Sequence, residues 1–143
     1  MSILTDFIVA APSEAEAICA DQNHHNRWPC LQLKSLDNIK LSALLSVFGE
    51  QSDAEALEGE TFLIHCPSKE GPWVFHLPDV LTDHLSKLDS QTIPSTAAQW
   101  AENEELQFDG WSESDVEPVL EMLCDIARKA KSEQKSLLLW MCL

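Results

Sequence analysis

The 143-residue sequence contains only four glycines, and these lie far apart, at Gly49, Gly59, Gly71 and Gly110. Loops that bind phosphate through glycine need several glycines at short fixed spacing, as in GxGxxG or GxxxxGK. Neither pattern occurs, and the GxSxG and HExxH motifs of hydrolases are absent as well. The sequence therefore lacks the commonest signatures of nucleotide-binding proteins and hydrolases.

Positive charge is also scarce. Lys and Arg together number 9 against 24 Asp and Glu, which gives a formal net charge of −15 at pH 7. A negative field of this size repels phosphate backbones and anionic lipid headgroups. We therefore expect neither nucleic acid nor a membrane among the partners of this protein.

Long apolar runs are missing too. The longest run, residues 137–143, is far shorter than the ~20 residues that span a bilayer. Residues 1–11 lack the basic start of a secretory signal and carry Asp6 within their apolar stretch. The five cysteines form no CxxC pair, which favours reduced thiols over a disulfide framework or a zinc knuckle. These features predict a cytoplasmic bacterial protein.

The sequence has the composition of a globular domain, with 45% hydrophobic and 23% charged residues. We predict one α+β domain over residues 1–143, with a small mixed β-sheet, a buried C-terminal strand and about five covering helices. Predicted strands cover residues 3–10, 61–66, 73–77 and 137–142, with a brief extended segment at 31–35. Predicted helices follow capping signals at Ser13, Asp37, Pro78, Thr92 and Ser114.

Residues 137–142 carry apolar side chains at every position, without the alternation of a half-exposed strand. A strand of this kind has both faces buried. We therefore expect it to lie inside the sheet.

The strands 61–66 and 73–77 are predicted to form a hairpin. One face becomes wholly apolar if the pairs are Phe62 with Leu77, Ile64 with Phe75 and Cys66 with Trp73. This register places His65 and His76 on the other face, within side-chain reach of each other. They could fill a half-covered surface, or form the site of a small enzyme or metal-binding protein.

A second group of metal-ligating residue types lies in the polar segment 22–30. His24, His25 and Cys30 offer imidazole and thiolate donors. Adjacent side chains of an extended segment point to opposite sides, so both histidines would rarely reach one ion. We expect a loop with solvated histidines, and we expect the protein to need no metal or other cofactor.

The most acidic stretch contains nine carboxylates between Glu102 and Asp125 and no Lys or Arg. Such a run is usually a solvated surface. With its tryptophans it could instead bind a basic partner protein, because aromatic residues supply interface energy and carboxylates steer the encounter. The candidate interaction residues are Trp100, Glu104, Glu105, Asp109, Trp111, Glu113 and Asp115. We expect association with a protein, as an inhibitor or immunity-type protein does.

The order of several segments resembles the YfbM-like family of small bacterial proteins. The segments are 36–41 (LDNIKL) opening a Leu-rich helix that ends at Gly49, 77–80 (LPDV), 127–130 (ARKA) and 135–140 (KSLLLW). The resemblance implies an α+β bacterial fold and supplies no site residues.

Overall fold

A computed structural model describes residues 3–143, which form the predicted α+β fold. The strands within this range are β1 (Leu4–Ala10), β2 (Cys30–Lys34), β3 (Leu63–His65), β4 (Trp73–His76) and β5 (Ser136–Cys142). They form a sheet in the order β2-β1-β5-β4-β3. Every neighbouring pair is antiparallel, so the prediction of a mixed sheet was wrong.

The C-terminal strand β5 lies at the centre of the sheet, as predicted. It pairs along its whole length with β1 and over Leu138–Met141 with β4. Leu137, Leu138 and Leu139 are completely buried, although successive side chains point to opposite faces. Elements on both faces of the sheet must therefore cover this strand.

The helices outnumber the five that were predicted. Between residues 3 and 143 they are α1 (Ala15–Ala20), α2 (His24–Arg27), α3 (Asn38–Val47), α4 (Gln51–Glu58), α5 (Asp79–Lys87), α6 (Ile93–Ala101), α7 (Glu104–Phe108) and α8 (Glu113–Ser132). The additional helices α2, α4 and α7 are short, so their side-chain periodicity is hard to recognise. No helix in this part of the chain is both long and apolar enough to cross a membrane.

Two apolar clusters lie on opposite faces of the sheet. The larger contains Phe7, Val9 and Leu139 together with the buried faces of α3 to α8. The smaller contains Ile8 and Leu138, and Ile18 of α1 packs there. Alternation along β1 and β5 thus supplies both clusters from the same strands.

The start of α3 agrees with the sequence pattern. The carboxylate of Asp37 accepts a hydrogen bond of 3.0 Å from the backbone N–H of Lys40. This bond satisfies one of the amides that a helix start leaves unpaired.

The start of α8 lies two residues earlier than predicted. The capping box is formed by Ser112 and Asp115 instead of Ser114 and Glu117, and the Ser112 N–H donates to the Asp115 carboxylate over 2.9 Å. Both serines are followed three residues later by an acid, so the pattern alone did not distinguish them. Pro118 therefore lies in the second turn of α8.

The start of α1 was also misplaced. A 3₁₀ turn at Pro12–Glu14 precedes the helix, and the Ala11 N–H donates to the Glu14 carboxylate over 2.9 Å. The predicted Ser13–Glu16 capping box is therefore not formed. The ring of Pro12 fixes a helical φ at the first position of the turn, so the turn starts ahead of the serine.

The predicted register of the hairpin was wrong. β3 and β4 pair Leu63 with Phe75 and His65 with Val74, and an irregularity separates the two pairs. An extra residue in one strand shifts the register and changes which face the following side chains occupy. The shift lets Leu63 pack against the larger cluster beside Phe75.

Deletion of residues 140–143 should prevent folding. Trp140 and Met141 pair with both neighbours of β5, and buried Met141 and half-buried Trp140 pack against opposite apolar clusters. Full burial of one large apolar side chain contributes ~1.5 to 3 kcal/mol against a total stability of ~5 to 15 kcal/mol. Soluble yield and thermal denaturation measure the effect. Deletion of Leu143 alone is the control, because this side chain is 74% exposed. Equal melting temperatures for the four-residue deletion and the full chain would contradict the central role of β5.

Candidate functional site

Trp100 does not belong to the predicted acidic surface. Its side chain is 0% exposed, within the larger apolar cluster. The indole N–H donates a hydrogen bond of 2.9 Å to the backbone carbonyl of Lys40. Trp100 is therefore a core residue that joins α6 to α3, and its prediction as an interaction residue was wrong.

The other predicted interaction residues lie around one turn between two helices. Glu104 and Glu105 are in α7, Asp109 and Trp111 are in the turn, and Glu113 and Asp115 begin α8. The five carboxylates are exposed and the Trp111 side chain is half-buried. The turn is closed by a hydrogen bond of 2.9 Å from the Trp111 N–H to the Leu106 carbonyl.

A buried lysine fixes this turn to the core. Lys40 is almost fully buried, and its ammonium group donates to the Ser35 carbonyl over 2.7 Å and to the Asp109 carboxylate. The same ammonium lies 5.5 Å from the centre of the Trp111 ring, within the range of a cation–π contact. Asp109 therefore neutralises the buried charge of Lys40, and the Lys40 ammonium group contacts the Trp111 ring from its core side.

Phe108 is the exposed aromatic residue that the sequence reasoning missed. Its side chain is 89% exposed at the end of α7, whereas Leu106 on the same helix is fully buried. Two residues along a helix lie about 200° apart, so burial of Leu106 directs Phe108 towards solvent. This spacing is the sequence signal that could have identified it. We call Glu104, Glu105, Phe108, Asp109, Trp111 and Glu113 the α7–α8 patch.

Asp115 has a structural role at the edge of the patch. The backbone N–H of Ser112, followed by its hydroxyl, holds the pKa of the Asp115 carboxyl below its ordinary value. Hydrogen bonds to the charged form of a carboxyl favour ionisation. Asp115 thus caps α8, and we leave it out of the patch.

His65 and His76 share one face of the sheet, although through a different register. His65 pairs with Val74, which lies two residues before His76 in the same strand. The Nε2 atom of His76 is buried without a hydrogen bond within the described structure, and it lies 3.4 Å from an Asp79 oxygen. Across residues 3–143, neither histidine belongs to a group of three metal donors. A site at these histidines stays a prediction.

His24 is not the solvated residue that the sequence predicted. It is 5% exposed, and its Nε2 lies 2.7 Å from an Asp6 carboxylate oxygen, while its Nδ1 lies 3.3 Å from the Asp21 carbonyl. The short helix α2 replaces the predicted loop and turns this ring onto the sheet, whereas His25 is exposed. The separation of Asp6 and His24 in the chain explains why the sequence did not reveal the pair.

Cys30 completes a cluster with this pair. One donor atom each from Asp6, His24 and Cys30 lie within 4.8 Å of one another. The Trp140 ring packs against the imidazole, with 4.6 Å between ring centres. Burial, together with the neighbouring Asp6 charge, raises the pKa of the Cys30 thiol to about 12. Both ring nitrogens of His24 face oxygens, so His24 does not form the thiol–imidazole pair of a nucleophilic site.

Comparison with known proteins does not assign a function. No family model, no curated protein and no solved structure matches this chain. The resemblance to the YfbM-like family stays a prediction. The features of the structure that bear on function are the α7–α8 patch and the Asp6–His24–Cys30 cluster.

Asp115→Asn should destabilise the protein in a pH-dependent way. Because the folded pKa of Asp115 is lowered, its stabilisation is present above the ordinary aspartate pKa near ~4 and is lost as the pH falls through the folded pKa. The difference in melting temperature between wild type and Asp115→Asn should therefore be largest near neutral pH and shrink in acid. Glu121→Gln, on the exposed face of the same helix, is the control. A difference that stays constant from pH 7 into acid would contradict this role.

His24→Ala should be strongly destabilising, because it leaves the Asp6 carboxylate buried without its partner. Leaving a buried polar group without its hydrogen-bond partner typically costs ~1 to 3 kcal/mol, and more when that group is charged. Urea denaturation in a chelating buffer measures the loss, and exposed His25→Ala should change stability by no more than ~0.5 kcal/mol. The Asp6→Ala/His24→Ala double variant should lose less than the sum of the single variants. Additive losses would show that the two side chains do not interact.

Proposed function

We propose that this protein binds a basic protein through the α7–α8 patch and acts by association, as an inhibitor or immunity-type protein neutralising a basic enzyme does. The observation that carries the proposal is the 89% exposure of Phe108 among carboxylates. Binding is favoured when a partner removes a large exposed aromatic side chain from water.

The patch has the residue types that are found at the centre of protein–protein interfaces. Aromatic residues dominate the binding energy of many protein interfaces when they enter a pocket of the partner. Phe108 offers such an anchor, and the half-buried Trp111 lies in the adjoining turn. An apolar pocket with a basic rim is the complementary surface.

The negative charge of the patch favours a partner with positive charge. Among residues 3–143, Glu104, Glu105 and Glu113 form no ion pair with a basic side chain. Their charges therefore remain available to a partner, and the net charge of −15 adds a long-range field of the same sign. Such fields accelerate encounter with basic proteins and weaken as salt is added.

The patch is also fixed before binding. The Asn103 side chain caps α7 by accepting a 2.9 Å hydrogen bond from the Glu105 N–H, and Lys40 holds the following turn at Asp109. A surface that is already ordered loses less conformational entropy when it binds. This rigidity supports the use of the patch for recognition.

Phe108→Ser tests the proposal. Capture from the native lysate on immobilised wild-type protein should enrich a basic protein, and purified partner should then bind Phe108→Ser more weakly by about 2 kcal/mol or more. Folding should be unaffected, because the Phe108 side chain is already exposed to solvent and makes few contacts within the fold. Met122→Ser is the matched control, since Met122 is also exposed but lies on α8 outside the patch.

Charge reversal provides the second arm of the test. Glu104→Lys/Glu105→Lys should slow association with the basic partner and reduce its dependence on salt. Glu121→Lys adds positive charge elsewhere on α8 and should have a smaller effect. Unchanged binding by both Phe108→Ser and the double reversal would show that the protein does not bind through this patch.

A further inference from the structure

The second sheet face carries a cluster of polar side chains in an otherwise apolar environment. Asp6 lies between Gln32 of β2 and Trp140 of β5, and Cys30 pairs with Ile8 two residues along β1. Asp6 and Cys30 are therefore diagonal neighbours on one face. His24 of α2 lies against the same face through its contacts with Asp6 and Trp140.

We propose that Asp6, His24 and Cys30 form a binding site for a divalent transition metal ion, and that zinc is the ion that fits best. The three side chains offer one carboxylate oxygen, one imidazole nitrogen and one sulfur. Zinc accepts all three donor types, whereas magnesium and calcium select oxygen ligands. A carboxylate, a thiolate and a neutral imidazole together balance the charge of one divalent ion.

The distances suit a small ion after a modest adjustment. Tetrahedral zinc with its usual bond lengths separates oxygen, nitrogen and sulfur donors by roughly 3.3 to 3.6 Å. The three donor atoms already lie within 4.8 Å of one another, and the Asp6 oxygen and His24 Nε2 are 2.7 Å apart. An ion between them would replace this hydrogen bond and draw the Cys30 sulfur inwards.

The surroundings of His24 match those of a metal-bound histidine. Histidine ligands commonly use one ring nitrogen for the metal and donate from the other to a carbonyl or carboxylate, which fixes the orientation of the ring. Nδ1 of His24 lies 3.3 Å from the Asp21 carbonyl, and this leaves Nε2 directed at Asp6. The Trp140 ring restrains the imidazole from its side.

The site has room for a further ligand. Asp6 and His24 line a cavity of about 600 Å³, and Trp140 forms part of its wall. Three protein ligands beside an accessible cavity are typical of zinc sites that bind water or substrate as a fourth ligand, whereas structural zinc sites use four protein ligands. This inference is independent of the α7–α8 patch.

Cobalt(II) titration tests the site, because cobalt replaces zinc in tetrahedral sites and gives absorption bands that report its ligands. Full-length protein without an affinity tag is treated with chelator, dialysed and titrated with Co²⁺ alone. We expect a near-ultraviolet thiolate-to-cobalt band that saturates at one equivalent and disappears when Zn²⁺ is added. We also expect Zn²⁺ to raise the melting temperature, because a ligand stabilises the state that it binds.

Cys30→Ser is the decisive variant, since it replaces one atom and leaves the Asp6–His24 pair intact. It should lose the thiolate band and bind Zn²⁺ more weakly by more than the roughly 10-fold to 100-fold that loss of a group behind a metal ligand costs, because Cys30 is itself a ligand. Cys66→Ser removes an exposed thiol outside the cluster and should leave the band and the Zn²⁺ affinity unchanged. His25→Gln should also bind like wild type.

Two results would overturn the site. One is a wild-type protein that shows no thiolate band at one equivalent of Co²⁺, which would leave Asp6 and His24 as a structural pair. The other is a band that persists in Cys30→Ser, since the metal would then lie at another thiol.

Discussion

A single strand without a solvent-facing side determines the architecture of this protein. Because β5 is apolar on both faces and lies between β1 and β4, the sheet cannot leave either face in water. The helices from α3 onwards cover one face. Helices α1 and α2 cover the second face, and α2 brings His24 against Asp6. The candidate metal site is therefore a consequence of burying β5.

The α7–α8 patch depends on the core through one buried cation. The backbone carbonyl of Lys40 accepts a hydrogen bond from the Trp100 indole N–H. The ammonium group of the same residue donates to the Asp109 carboxylate. A change in the packing of Trp100 would therefore be transmitted to the turn that follows Phe108. Trp100, which the sequence places at the surface, therefore helps from within the core to hold the α7–α8 patch in place.

The sequence predicted features that depend on local chemistry or on long uniform patterns. The α+β class, the Asp37 cap and the interior position of β5 belong to this group. It failed where a choice depended on contacts distant in the chain: Trp100 is buried where α6 meets α3, and its indole bonds the carbonyl of Lys40, 60 residues away. Likewise, burial of His24 requires a carboxylate on β1, and the irregularity between Leu63 and His65 alters a register that alternation alone had fixed.

The order of the strands also bears on how the chain folds. β1 and β2 form one antiparallel pair and β3 and β4 another, and β5, which follows both in the chain, joins them. Until β5 is in place, the inner edges of β1 and β4 expose unpaired backbone groups, which are prone to pair with other chains. Its pairing with β1 joins opposite ends of the described chain, and contacts so distant in sequence slow folding. The sheet therefore closes late, and its partly folded form is the state most exposed to aggregation.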